Sequence, residues 1–553
     1  MALQDEHTFT DNPTEAGVAE CDPDVLNDCL MYLRYNAASG NGIPPMAVKN
    51  KEVIRVNNIY DLTWEDPDNS IINGVELATW GGTLIVRKAG DYPEDYMDGV
   101  VVCDNKVRNQ YAVNSFTDNT IDPNDANEYF YRAFPYTVNK VYNFDSANKF
   151  GAWLYGYCEL DNEATPGSRI TYLEENKNYE PCRMNFTSDL FNFGSWQNSP
   201  LINWNGMRPC MLYNASSGQN GHVAYYLNPN NFAKIYNSDV NSDIANTNFA
   251  GNAMVEVRRV FTKSITKNDE TGRKTYVYFS NVKLDSGFEC WPCKRADGTY
   301  NDFFYMPIYN GSFVNNTLRS LSGQSVMNGK NAQQEINAAR LNGDGHDTET
   351  RGQCEYFKHL FKLLFKTSDS QEVLGAGKSN GGNDANALLK TGTMNTRGIM
   401  WGSNATNVGV KFCYMENWWT NQWRRYRGHV VINGKHYVKM TKSNIDGSGV
   451  DDYNIDGKGY IPLDVPAPSG TSGGYCSRMQ ESGNYGSFNV VMSGSSSTYL
   501  CDGGWFNNSG TMYPYRGGSS NLGAVCGVSC FASDNAASYT GWNIGAALSY
   551  TPL

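Results

Sequence analysis

The clearest alternation of apolar and polar positions lies in residues 128–136, EYFYRAFPY. Tyr129, Tyr131 and Ala133 fall on one side there, and Phe130, Arg132 and Phe134 on the other, as in a sandwich strand. Similar short runs, VIRV (53–56), TLIVRK (83–88) and GVVVC (99–103), are separated by turn formers at 66–69 and 73–74. Together they predict a small β-sandwich over residues 50–160. Residues 161–330 read as a second β-rich stretch, full of Asn, Tyr and Gly, with no internal repeat. Helical spacing takes over in a few places. Val25, Leu26, Cys29, Leu30 and Leu33 share one helix face behind Asp22 as cap and Pro23 at the first helical position. Residues 331–341 are rich in helix formers. From Thr350 to Lys366, Tyr356, Phe357, Leu360, Phe361, Leu364 and Phe365 form an aromatic stripe that reads as core. Ser368 with Gln371 suggests a capping box for a third short helix. Strands then return, including a hairpin in VVINGKHYVKM with Asn433-Gly434 at its turn.

Length changes the picture first: 553 residues suggest three to five units, at roughly 100–200 residues each. Abundant aromatics beside 54 glycines point to short strands and long loops rather than helical bundles. The net charge of −12, with no basic block, argues against a nucleic-acid partner. No apolar run reaches the ~20 residues of a membrane span, so no membrane insertion is expected. The first residues, MALQDEHTFTDNPTE, are polar and acidic and carry no signal-peptide pattern. Of 14 cysteines only Cys290 and Cys293 form a CxxC, without the second pair of a zinc ribbon. The cysteines therefore read as buried free thiols.

Candidate chemistry is sparse. The six histidines form no HExxH or comparable cluster, and GSSS (494–497) is not a GxSxG elbow. No spacing singles out a carboxylate pair. The acidic, Gly-rich segment DGSGVDDYNIDG (446–457) lacks the Glu and spacing of an EF-hand and reads as a turn-rich loop. No enzyme, no cofactor and no metal is expected.

Two stretches carry a resemblance. LTWEDPDNSIINGVELATWGGTLIVRKAGDYP, then DGVVV, YFYRAFPYT and VYNFDSAN, resembles the fibronectin-III-like module of tail proteins from phages of gut bacteria, over about residues 52–150. Residues 499–553, opening near GGWFNNS and ending in WNIGAALS, resemble the C-terminal region of C-type-lectin-fold proteins varied by diversity-generating retroelements. MENWWTNQWRR (415–425) and PSGTSGG (468–474) fit the same tail family. The resemblance implies a mainly β, multidomain protein: an attachment or oligomerisation segment (1–49), a fibronectin-III-like module (50–160), a β-rich domain (161–330) and a C-type-lectin-like α+β domain (331–553). It implies a phage tail receptor-binding protein, made in the host cytoplasm and carried on the virion. Its partners would be a bacterial surface receptor (protein or glycan) and other virion tail proteins, and with the helix at 22–35 it suggests a homotrimer.

Adenine-directed mutagenesis of Asn codons cannot yield Trp or Met. On that resemblance Trp505 and Trp542 are scaffold and Met512 is a poor candidate. Tyr513, Tyr515, Arg516, Ser520, Asn521, Val528, Cys530, Asp534, Tyr539 and Thr540 are the expected members of a solvent-facing binding patch. Tyr supplies broad amphipathic contact at low entropic cost, and Ser and Asn supply adaptable hydrogen bonds. Formylglycine-generating enzymes share the fold and use paired cysteines, but Cys526 and Cys530 (CGVSC) read as packing residues. The alternatives are a glycan-degrading tailspike or other cell-wall hydrolase, and a cellular surface adhesin.

Overall fold

The computed structural model describes residues 43–56, 59–72, 75–122, 125, 129–145, 148–151, 153–270, 272–469 and 472–553. The helix expected at 22–35 lies outside them. The protein is mainly β and divides into two compact units, up to Ala152 and from Trp153 onward.

In the first unit, Lys49–Val56, Ile59–Glu65 and Phe116–Asp118 form one antiparallel sheet. Val100–Asn105, Trp80–Ala89 and Tyr129–Thr137 form another. Alternate residues of both sheets, among them Tyr60, Leu62, Trp64, Ile85, Tyr131 and Ala133, meet in one core. Several polar groups buried there are paired. Asp66 accepts from the Trp64 indole (2.9 Å), Thr83 (2.5 Å) and Asn105 (2.9 Å), and Arg87 meets Asp118 at 2.7 Å.

The second unit does not divide at residue 330, where a domain boundary was expected. One antiparallel sheet runs in the order Asn231–Ile235, Val223–Asn228, Met207–Tyr213, Gly251–Arg258, Phe303–Pro307, Leu548–Tyr550, His346–Thr348. Strands from both sides of 330 are therefore hydrogen-bonded neighbours, and one apolar core joins residues such as Trp196 and Val255 to Phe357 and Trp418. A second sheet, Ile170–Glu174, Leu154–Leu160, Gly272–Ser280 and Phe261–Asp269, lies in the same unit.

Among the described residues, three α-helices interrupt these strands. Helix α1 (Ala332–Arg340) and helix α2 (Arg351–Phe365) begin with capping boxes, Asn331 with Gln334 and Thr350 with Gln353. The short α3 (Ser370–Leu374) is capped by Asp369 rather than by the expected Ser368; the Asp369 carboxylate accepts from the backbone of Gln371 and Glu372. The aromatic stripe of α2 is buried as expected, but so is every other residue of the helix. Its charged side is neutralised internally. Glu355 meets Arg351 (3.0 Å) and Lys358 (2.7 Å), and Lys362 meets Glu159 (2.5 Å).

Beyond α3 the chain forms a six-stranded mixed sheet in the order Ser472–Tyr475, Gly503–Phe506, Phe531–Ser533, Tyr515–Arg516, Trp423–Arg425, Ile544–Ala546. A four-stranded sheet, Ile461–Pro466, Lys435–Val438, His429–Ile432 and Thr511–Met512, contains the expected hairpin. Asn433 and Gly434 both have positive φ, 48° and 75°, as a tight two-residue hairpin turn requires.

Candidate functional site

The strand Trp423–Arg425 of the six-stranded sheet and the residues just after it carry a run of arginines, Arg424, Arg425 and Arg427, and each meets a buried carboxylate. Arg424 bonds Glu349 at 3.2 Å, and Arg516 from the neighbouring strand bonds the other oxygen of Glu349 at 2.8 Å. Arg425 bonds Glu335 of α1 at 2.7 Å, and Arg427 bonds Asp347 at 2.5 Å. Burial lowers the Arg424 guanidinium to about 10 against the pull of Glu349. Burial also lifts Glu335 to about 7, with Arg425 opposing. Such pairs fix geometry, because any other arrangement strands a charge away from water.

One of them also holds the backbone of a surface loop. Arg425 donates to the carbonyls of Tyr539 (2.6 Å) and Lys330 (3.0 Å), tying loop 534–543 to the start of α1. Ala332 N–H donates to the Ala537 carbonyl and Gly329 N–H to that of Gly541. From below, the Tyr515 hydroxyl donates to Asp534 and accepts from Asn535, and Tyr513 N–H donates to the Asn535 carbonyl. Loop 519–525 begins after Gly517 and Gly518, both at positive φ; a Cβ on Gly518 would stand 2.4 Å from Cys526 Sγ. Asn543 donates to the Ser519 hydroxyl, which donates to Asn521, and Asn521 donates to Asn383 at 2.8 Å. Three loops, 380–390, 519–525 and 534–543, thus form one connected face.

The ten expected patch residues separate on this framework. Tyr539 (44 % exposed) and Thr540 stand in solvent at the top of loop 534–543, and Asn521 and Asp534 are half-buried on the same face. The other six are buried rather than solvent-facing. Tyr513 packs with Ala332, Val430 and Tyr460, and Tyr515 and Cys530 pack with Trp423 and Ile544. Arg516 lies between Glu349 and the Trp418 ring, and Ser520 and Val528 lie beneath the loops. They are the support of the face. Trp505 and Trp542 are half-buried. Cys526 and Cys530 are free, buried thiols; Cys526 Sγ lies 3.3 Å from the Ser519 carbonyl oxygen.

Sequence reasoning missed the neighbouring surface. Loop 534–543 adjoins Lys330, whose ammonium lies 4.7 Å over the Phe313 ring. Phe313 and Leu341, both exposed, line a shallow depression of about 260 Å³ with Asn316, Gln334 and Asn337. The only signal in the sequence was a pair of large apolar residues flanked by amides.

The 446–457 segment folds around an ammonium group. Lys439 Nζ donates to the carbonyls of Ser443 (2.9 Å) and Val450 (2.6 Å) and to the Ser448 hydroxyl (2.5 Å), with Asp446 at 3.5 Å. Carbonyl, hydroxyl and carboxylate oxygens converge there on a side-chain cation. Among the described residues no group of three or more His, Cys, Asp or Glu is placed to hold a metal ion. Among them also, no helix is long and apolar enough to cross a membrane. Compared with known proteins, the chain matches no family model and no curated sequence.

Proposed function

We propose that this chain is a phage tail receptor-binding protein that grips a bacterial surface receptor through the face formed by loops 380–390, 519–525 and 534–543. In this reading the first unit is a fibronectin-III-like spacer and the second ends in a C-type-lectin-like domain. One observation carries the reading: exposed Tyr, Thr, Asn and Ser side chains ride on loops hydrogen-bonded to the body beneath, loop 534–543 through the buried Arg425–Glu335 pair and loop 519–525 through Asn543 and Ser519. A clamped loop has already lost its conformational freedom, so little ordering entropy opposes binding. Its side chains are those that make adaptable interfaces. Several copies per particle would raise weak single contacts to firm attachment.

The test is binding of purified protein to a panel of gut bacterial strains, beside a variant carrying Tyr539→Ala, Thr540→Ala and Asn521→Ala. Saturable binding to a few strains, reduced at least tenfold in the folded variant, is the expected result. Binding that the triple change leaves intact removes this face from the reading. Light scattering on the full chain checks the homotrimer; a monomeric mass overturns it.

A further inference from the structure

A cavity of about 360 Å³ opens elsewhere in the second unit. It lies among the turn at 291–296, the strand and helix entry at 345–350, the loops at 440–443 and 451–453, and the segment at 549–553. The volume falls in the range of sites that hold small molecules. Trp291, Pro292, Met440, Tyr453 and Pro552 give it apolar and aromatic walls. These walls are tied in place. Trp291 Nε1 donates to the Asn484 carbonyl (2.8 Å), the Tyr453 hydroxyl to the Met440 carbonyl (3.3 Å), and the Asn301 amide to the Pro552 carbonyl (2.7 Å).

The charges around the cavity fall into two groups. Asp347 is taken by Arg427 and Arg340, Asp452 by Arg340, and Lys294 by Glu289. Arg295, Lys442 and Asp451 also line the cavity; all three are exposed, and none is in an ion pair among the described residues. The lining is mostly apolar by area, with His346 and the hydroxyls of Thr350, Thr441 and Ser549 among its polar members. It suits a bulky hydrocarbon or aromatic body. A mouth that offers uncommitted charges of both signs suits a ligand carrying a carboxylate and an ammonium at one end.

We propose that this cavity binds a small zwitterion with a bulky apolar side chain, of the class of free aromatic or branched amino acids. The side chain enters between Trp291, Met440 and Tyr453. The carboxylate faces Lys442 and Arg295, and the ammonium faces Asp451. The site is separate from the loop face and does not depend on the receptor reading.

The experiment is saturation-transfer NMR on the full chain with phenylalanine, leucine and tryptophan as probes. N-acetylphenylalanine lacks the ammonium and phenylalaninamide lacks the carboxylate. At least one free amino acid should saturate, and both blocked compounds should bind about tenfold more weakly, the loss of one charge-assisted contact. Ala296→Trp, at an exposed position on the rim, should abolish the signal while the fold is unchanged by circular dichroism. Lys442→Glu should weaken phenylalanine more than phenylalaninamide. No saturation by any free amino acid overturns the proposal, as does binding that survives Ala296→Trp or ignores both blocked ends. Cell binding by the Ala296→Trp variant, run in parallel, is expected to be unchanged, so failure here is distinguishable from failure of the receptor reading.

Discussion

Glu349 is a carboxylate of the buried scaffold that serves two arginines. It has no solvent access, and its two carboxylate oxygens each serve a different buried guanidinium, Arg424 at 3.2 Å and Arg516 at 2.8 Å. The change Glu349→Gln keeps the shape, removes the negative charge and turns one acceptor into a donor. Both arginines keep other partners. Arg424 still reaches Asn310 (2.8 Å) and the Glu416 carbonyl (2.7 Å), and Arg516 still reaches the Trp418 carbonyl (2.7 Å). Those partners are neutral, so two buried cations are left facing each other across an amide. Breaking a buried pair by removing one partner costs roughly 3–5 kcal/mol, and here one carboxylate answers to two partners. A loss of at least about 3 kcal/mol follows. Urea unfolding followed by tryptophan fluorescence measures it, because all tryptophans except Trp64 and Trp80 belong to the second unit. The midpoint should fall with little change in slope. A loss below about 1 kcal/mol, the value of an exposed pair, would refute the picture of a charge-clamped scaffold.

Two further predictions concern buried charge. Burial alone would raise the carboxyls of Glu159 and Glu355, but Lys362 and Arg169 for the first, and Arg351 and Lys358 for the second, outweigh it and hold each at about 2. A folded value below the unfolded one means that stability is present above about pH 4.5 and is lost as pH falls toward 2. Acid titration of the urea midpoint should show that loss, and Glu159→Gln should shrink it; an acid limb unchanged in the variant would contradict the assignment. Lys439→Met should destabilise the second unit by roughly 3 kcal/mol or more, because Asp446 and two carbonyls lose their cation. A variant within about 0.5 kcal/mol of the parent would mean that the 443–451 loop does not depend on the ammonium.

Much of the local structure was legible because local structure leaves local marks. Asn433-Gly434 fixed a hairpin, Asn331 and Thr350 fixed helix starts, and the Tyr129–Phe134 alternation marked a strand. What the sequence hid depends on partners far along the chain. Arg351, Glu355, Lys358 and Lys362 look like the solvent side of an amphipathic helix. They are buried because Glu159 and the Ser487 carbonyl meet them from about 130 to 200 residues away. The expected boundary at 330 fails for the same reason, since Tyr305 pairs with Tyr550 across it. No periodicity within a window of ten or fifteen residues records such pairs.

The same distinction decides what the C-terminal region can vary. Tyr, Ser, Asn and Arg are the residue types expected on a variable binding face, and the resemblance placed Tyr513, Tyr515 and Arg516 there. Type is a poor guide when the hydroxyl or guanidinium has a buried partner. Tyr515 is a buried ring held by Asp534 and Asn535, and Arg516 pairs with the fully buried Glu349, so replacing Tyr515 removes core packing and two hydrogen bonds and replacing Arg516 leaves an unpaired charge inside the protein. Tyr539 and Thr540 carry no such obligation: the Tyr539 backbone is held by Arg425 and Ala536, while both side chains stand in solvent. A face built this way can exchange its outer side chains freely as long as the residues beneath stay fixed. On the proposed reading, variation and rigidity would belong to different residues of the same short segment, separated by burial rather than residue type.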